Sequence, residues 1–158
     1  MIEVVMNSKH VNDRQVKEMA PYEKHLVVSK GQTIVEMVKQ IIEHPAIHHL
    51  CVVDEEGKLQ GLINRKKIFQ VVFAHHVSGS IGVSRLFKLL TSESADDLLI
   101  RHVFAANEDD RIDKVIRTMI EHELVEVPVV DRDKKVMGLL TSGMLLNEWL
   151  SDESKEEE

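Results

Sequence analysis

Asn64-Arg65-Lys66-Lys67 places three cations in a row behind an amide side chain. At a helix start, such a run offers positive charge and backbone N–H groups to a phosphate. Its plainer reading is an N-capped helix with a solvated basic face. Positive charge at that end opposes the helix dipole, which tilts the run toward anion binding. Thr141 suits an N-cap. The nine histidines include His48-His49 and His75-His76 and raise the question of metal binding. Neighbours on a strand point to opposite faces, however, and neighbours on a helix diverge by about 100°. Pro45 interrupts the His44–His48 spacing, so no metal site is expected. Cys51, between Leu50 and Val52, reads as a small core hydrophobe. The chain carries no glycine-rich phosphate loop, nucleophile elbow or paired-histidine motif, so catalysis is not expected.

The elements that hold these residues come in two copies. Val52-Val53-Asp54 leads through a turn to Gly61-Leu62-Ile63, and Val129-Val130-Asp131 leads to Gly138-Leu139-Leu140, offset by 77 residues. Each is a hairpin signal. At the same offset, Ile68, Phe69, Val72 and Phe73 map onto Leu145, Leu146, Trp149 and Leu150, an apolar stripe on a helix. Upstream, Ile34, Met37, Val38, Ile41 and Ile42 map onto Ile112, Val115, Ile116, Met119 and Ile120, now offset by 78. The extra residue falls between His44 and Asp54, after Pro45 ends the helix. Thr33 and Glu36 form a capping box, and Asp110 is the expected N-cap of the second copy. Short apolar runs, Leu26–Val28 and Val103–Ala106, precede the helices. Val16 and Met19 correspond to Ala95 and Leu98 in matching lead-in helices, Asn12–Ala20 and Ser94–Leu99. Between the copies, Ser78-Gly79-Ser80 is a break. Val83, Leu86, Phe87 and Leu90 then mark a linker helix with one apolar stripe. Pro128 suits a strand end or an edge, where a missing amide costs nothing.

Neither copy has the apolar layers to stand alone. The expected fold is therefore α+β: two β-α-β-β-α units packed sheet to sheet about a pseudo-twofold axis, with a linker helix. Residues 12–77 form the first unit, 78–94 the linker, 95–150 the second unit and 151–158 a disordered acidic tail.

Hydrophobic residues make up 43% of the 158 residues and aromatics only 4%, so the core must be built from Val, Ile, Leu and Met. The net charge of -7 comes largely from the tail, and the body has no basic stripe. Nucleic acid is therefore not the expected partner. A single cysteine excludes an internal disulfide and suits a reducing compartment. Met1–Met6 lacks the apolar core of a signal peptide, and no stretch is long enough to span a bilayer. A cytoplasmic protein with no membrane association is expected.

The doubled pattern resembles a tandem pair of cystathionine β-synthase (CBS) domains, often called a Bateman module, over residues 12 to 150. The resemblance rests on Val52-Val53-Asp54 with Gly61-Leu62-Ile63, and on Val127-Pro128-Val129-Val130-Asp131 with Gly138-Leu139-Leu140-Thr141. It implies a non-catalytic module that senses an adenosyl ligand in the cleft between its units and signals by changed self- or partner association. AMP, ADP, ATP or cyclic di-AMP would be the ligand, and a homodimer or a regulated protein would receive the signal. A decayed pair serving as a ligand-free interaction scaffold is the alternative. The family motif runs Gly, two apolar residues, Thr or Ser, two variable residues and Asp. The hydroxyl and carboxylate there hold phosphate and ribose. In this chain the second copy keeps Thr141 but has Met144 at the Asp position, and the first has Asn64 and Lys67. By resemblance, Ala105, Val127, Pro128, Val129, Thr141 and Met144 would line one ligand site. Asn64, Arg65 and Lys67 would line the other.

Overall fold

The computed structural model describes residues 9–76 and 81–157. The first-half elements are α1 (Lys9–Asn12), a 3-10 turn (Val16–Met19), β1 (Val27–Val28), α2 (Ile34–Glu43), β2 (His49–Val53), β3 (Leu59–Asn64) and α3 (Arg65–Val72). A second 3-10 turn (Ala74–His76), α4 (Val83–Thr91) and α5 (Ala95–Leu98) follow. Then come β4 (Ala106–Asn107), α6 (Ile112–Glu121), β5 (Glu126–Val130), β6 (Val136–Thr141) and α7 (Ser142–Glu156). The expected α+β order, β-α-β-β-α twice, is present. The Ser78-Gly79-Ser80 break lies outside the described residues.

Each half builds a three-stranded sheet with its second strand central: β1-β2-β3 and β4-β5-β6. The hairpin registers repeat at the sequence offset. Val52 pairs with Gly61 and Val129 with Gly138, each followed by a bulge. The parallel pairs differ by one step. Val27 lies beside Cys51 and Val28 beside Val52, whereas β4 begins with Ala106 beside Val129. The cause is Pro128. In the first half the Cys51 amide donates to the Leu26 carbonyl at 2.8 Å, and Pro128, at the equivalent place, has no amide to give. Pro128 is thus not at a strand end or an outer edge, as expected. It sits within the central strand, and β4 starts late to accommodate it.

The Thr33–Glu36 capping box is made in full: the Glu36 amide donates to Thr33 Oγ1 at 3.2 Å and the Thr33 amide to Glu36 Oε2 at 2.9 Å. The second copy departs from expectation, because Arg111 rather than Asp110 occupies the N-cap and makes no side-chain cap bond. The Arg14 carbonyl takes the first amide of α6, from Ile112, at 2.9 Å. Asp110 is engaged elsewhere, accepting from the Asn107 amide at 2.9 Å.

The compact units are not the sequence repeats. One runs from His25 to Val103, and the other joins the residues ahead of His25 to those from Phe104 onward. In the continuous unit, Leu62 and Ile100 exchange backbone hydrogen bonds at 3.0 and 2.9 Å; in the composite unit, Glu23 and Leu139 do so at 3.0 and 2.9 Å. The lead-in of each copy therefore packs on the hairpin of the other. Val16, Met19, Ala95 and Leu98 are all buried, as their matching positions suggest. Asn12–Ala20 is not one helix, because the Val16 and Lys17 amides donate to the carbonyls of Asp110 and Glu108 instead of up their own turn. In the composite unit Val11, Val16 and Met19 complete a core with Ala106, Ile112 and Val115, among others.

Residues 151–156 are helical, not a disordered tail. The physical reason is Arg14, whose Nη1 donates to Glu148 Oε2 at 2.6 Å and whose Nη2 donates to Asp152 Oδ1 at 2.8 Å. The two carboxylates are one turn apart on α7, so a single guanidinium holds the added turns in place.

The apolar stripes divide. Ile68 and Leu145 are buried, while their neighbours Phe69 and Leu146 remain 64% and 65% exposed. On α4 the anticipated stripe faces outward at Val83 and Phe87, and Leu89 is the buried residue. Grooves of about 600 Å³ on α2–α3 and about 740 Å³ on α6–α7 run along these apolar faces.

Candidate functional site

Thr141 ends β6 and opens α7. Its Oγ1 accepts the Met144 amide at 3.1 Å, which satisfies an otherwise orphaned donor of the helix. Acceptance uses a lone pair, so the hydroxyl hydrogen can still donate. Thr141 and Met144 are half-buried, as is Ala105, which precedes β4 two strands away, a spacing of about 10 Å across the sheet. Val127 and Val129 are not beside these groups as surface. They are 1% and 0% exposed and belong to the core of the composite unit. Pro128 is also buried. Of the residues expected at this end, Ala105, Thr141 and Met144 are the ones that keep part of their surface accessible. The sequence reading missed Glu126, which pairs directly with Thr141 across the hairpin and is 4% exposed. A lone acid before an apolar strand gave no signal of its own, because the register that sets it opposite Thr141 is a tertiary fact.

In the first half, Asn64 is an N-cap whose Oδ1 accepts the Lys66 amide at 2.8 Å. The expected anion site of free helix amides and adjacent cations is not formed as read. The Arg65 amide donates to the His48 carbonyl at 2.9 Å, and its guanidinium donates to the Pro45 carbonyl and contacts His48 Nδ1. Lys67 stands apart from this network. It is half-buried, and desolvation, then the Arg85 guanidinium and the Lys88 ammonium, holds its own ammonium below the usual 10.5. In the sequence Arg85 and Lys88 show only as polar positions beside the apolar stripe of α4, and the packing of α4 on α3 is what relates them to Lys67.

The glycine that opens each motif has a structural cause. A Cβ on Gly61 would strike the Ile100 carbonyl, and one on Gly138 would meet Tyr22 Cβ and the Glu23 carbonyl. These are the sites where the exchanged lead-ins approach β3 and β6. Among the described residues no cluster of three metal-ligating side chains exists, and Cys51 is buried and in no disulfide. No helix of the described residues is long and apolar enough to cross a membrane.

The model of the CBS domain matches residues 16–74 and 95–151. The chain belongs to the CBS-domain family. The CBS pair is 26% identical to a solved CBS domain pair in complex with 5′-methylthioadenosine and S-adenosyl-L-methionine. That match has a TM-score of 0.67 and covers 88% of this chain and 98% of that one. A CBS-domain protein from Thermotoga maritima is 25% identical, with a TM-score of 0.67 over 85% of this chain and 92% of that one. Among curated proteins, an L-aspartate semialdehyde sulfurtransferase of Methanocaldococcus jannaschii is 31% identical over 110 residues, 70% of this chain but 18% of that protein. The chain spans about a fifth of the length of the sulfurtransferase and of the homoserine O-acetyltransferases it also matches.

Proposed function

We propose that this CBS pair is a non-catalytic, cytoplasmic regulatory module that binds a small adenosyl ligand at Thr141 and reports it through altered association. A second copy of the chain or a regulated protein receives the signal. The observation that carries this reading is the Thr141 hydroxyl, fixed at the β6–α7 junction by the Met144 amide with its hydrogen left to donate. It is supported by the 26%-identical CBS pair that holds S-adenosyl-L-methionine and 5′-methylthioadenosine. Ligand binding would act as a population shift, favouring whichever arrangement of the chain binds more tightly.

The exposed apolar faces around Phe69 and Leu146 suit a homodimer contact. They equally suit a second reading, a scaffold without ligand. That reading is favoured by Met144 and Lys67 standing where the family motif has a carboxylate.

Calorimetry with AMP, ADP, ATP, S-adenosylmethionine and cyclic di-AMP tests the choice. A ligand at 100 times its Kd adds about 2.7 kcal/mol of stability, which a thermal melt also reads. Absence of heat with every ligand at millimolar concentration would sink the sensor and leave the scaffold.

A further inference from the structure

Three cations of the continuous unit come together without an acid. Lys67 lies in the first turn of α3, half-buried, and α4 packs against α3. Arg85 and Lys88 are one turn apart on α4, a rise of about 4.5 Å, and both bear electrostatically on Lys67. Several other cations of the chain have acidic partners, among them Lys17 with Asp109, Lys58 with Glu56, Arg101 with Asp96 and Arg117 with Asp113. Among the described residues no carboxylate is ion-paired to Lys67, Arg85 or Lys88. Like charges gathered in this way repel, and the half-buried member loses solvation as well. An anion bearing several charges would relieve both costs at once. A carboxylate gripping a ribose is the opposite chemistry, and Lys67 stands at the position where the family motif would have one.

We propose that Lys67, Arg85 and Lys88 form a binding site for a chain of phosphates, either the terminal phosphates of a nucleotide or free inorganic polyphosphate. Cations from two helices, two of them a helical turn apart, span more than one phosphate group, so a chain binds better than orthophosphate. The nucleotide form of this inference rests on the adenosyl reading above. The site itself does not.

The test is calorimetry at low salt with sodium tripolyphosphate, ATP, adenosine and orthophosphate on the full chain. It compares the wild type with Lys67→Met and with the double variant Arg85→Gln/Lys88→Gln. Arg85 and Lys88 are exposed, so the double variant keeps its fold, and its melting temperature without ligand checks this. Tripolyphosphate should bind the wild type, weaken as salt rises, and lose roughly tenfold or more in affinity in either variant. Adenosine should be indifferent to both variants. If tripolyphosphate fails to bind, binds no better than orthophosphate, or is unaffected by the substitutions, the proposal is overturned. If tripolyphosphate binds through the trio while ATP and adenosine do not, the site stands with free polyphosphate as its ligand and the nucleotide form is overturned. ATP binding that is lost in Thr141→Ala but unchanged in the double variant would overturn the nucleotide form of the proposal and keep the adenosyl reading.

Discussion

Thr141 has two tasks that one substitution separates. Its oxygen caps α7 through the Met144 amide, and its hydrogen is the donor assigned to the ligand. Thr141→Ala should cost about 1 kcal/mol of stability through the lost cap. It should also cost about 1.5–3 kcal/mol of adenosyl-ligand binding, since a hydrogen bond to a charged group is lost. Thr141→Ser should restore both. Ligand affinity unchanged in Thr141→Ala would move the adenosyl site elsewhere. His25 supplies a second test at this scale. Burial holds its imidazole below the usual 6.5, so below that pH the folded chain binds fewer protons than the unfolded one. Stability should therefore fall as pH drops below about 6.5, and the contribution vanishes above it, where both states are neutral. His25→Gln should remove that part of the slope in urea midpoints compared at about pH 5 and pH 7.5; a slope equal to that of the wild type would refute the assignment.

Two elements depend on contacts far away in sequence. The exchanged lead-ins lie so close to β3 and β6 that Gly61 and Gly138 have no room for a Cβ against the backbones of Ile100 and Glu23. Gly61→Ala or Gly138→Ala should cost about 1–3 kcal/mol, because backbone must move and the bridging bonds at Leu62 or Leu139 lengthen. Urea denaturation with an unchanged midpoint for both would contradict this. The final turns of α7 depend likewise on Arg14. Removing the largely buried carboxylate in Asp152→Ala should cost about 1.5–3 kcal/mol and fray the helix end. Amide exchange over residues 150–156 should quicken; protection equal to that of the wild type would mean the helix end does not need the pair.

At the scale of the whole molecule, association is the measurable property. The exposed arcs on α3 and α7 repeat each other, which suits a twofold partner made of the same chain. Phe69→Asp and Leu146→Asp put a charge on each arc without touching the core, since both side chains are about two-thirds exposed. Light scattering of the wild type should give twice the 18.1 kDa chain mass at micromolar concentration, and each variant should shift toward the monomer. A wild-type mass near 18.1 kDa would refute the dimer.

The repeat was legible because β-branched alternation and the i, i+3, i+4 spacing of apolar residues are local properties. Val52–Ile63 and Val129–Leu140 thus announced two hairpins, and Thr33 with Glu36 announced a cap that the fold makes in full. The single glycine in each motif was visible too, but its cause was not, because Ile100 and Glu23 are distant along the chain from Gly61 and Gly138. Order along the chain lists the elements without saying which hairpin a lead-in joins, and only backbone pairing at Leu62 and Leu139 decides that. Charge was the hardest property to read. The run Ser151–Glu156 looked like a solvated tail until Arg14 closed over Asp152, and Arg65 looked free until the Pro45 carbonyl took it. Composition fixes how many charges a chain carries, but electrostatic energy depends on distance and burial, and those belong to the tertiary structure.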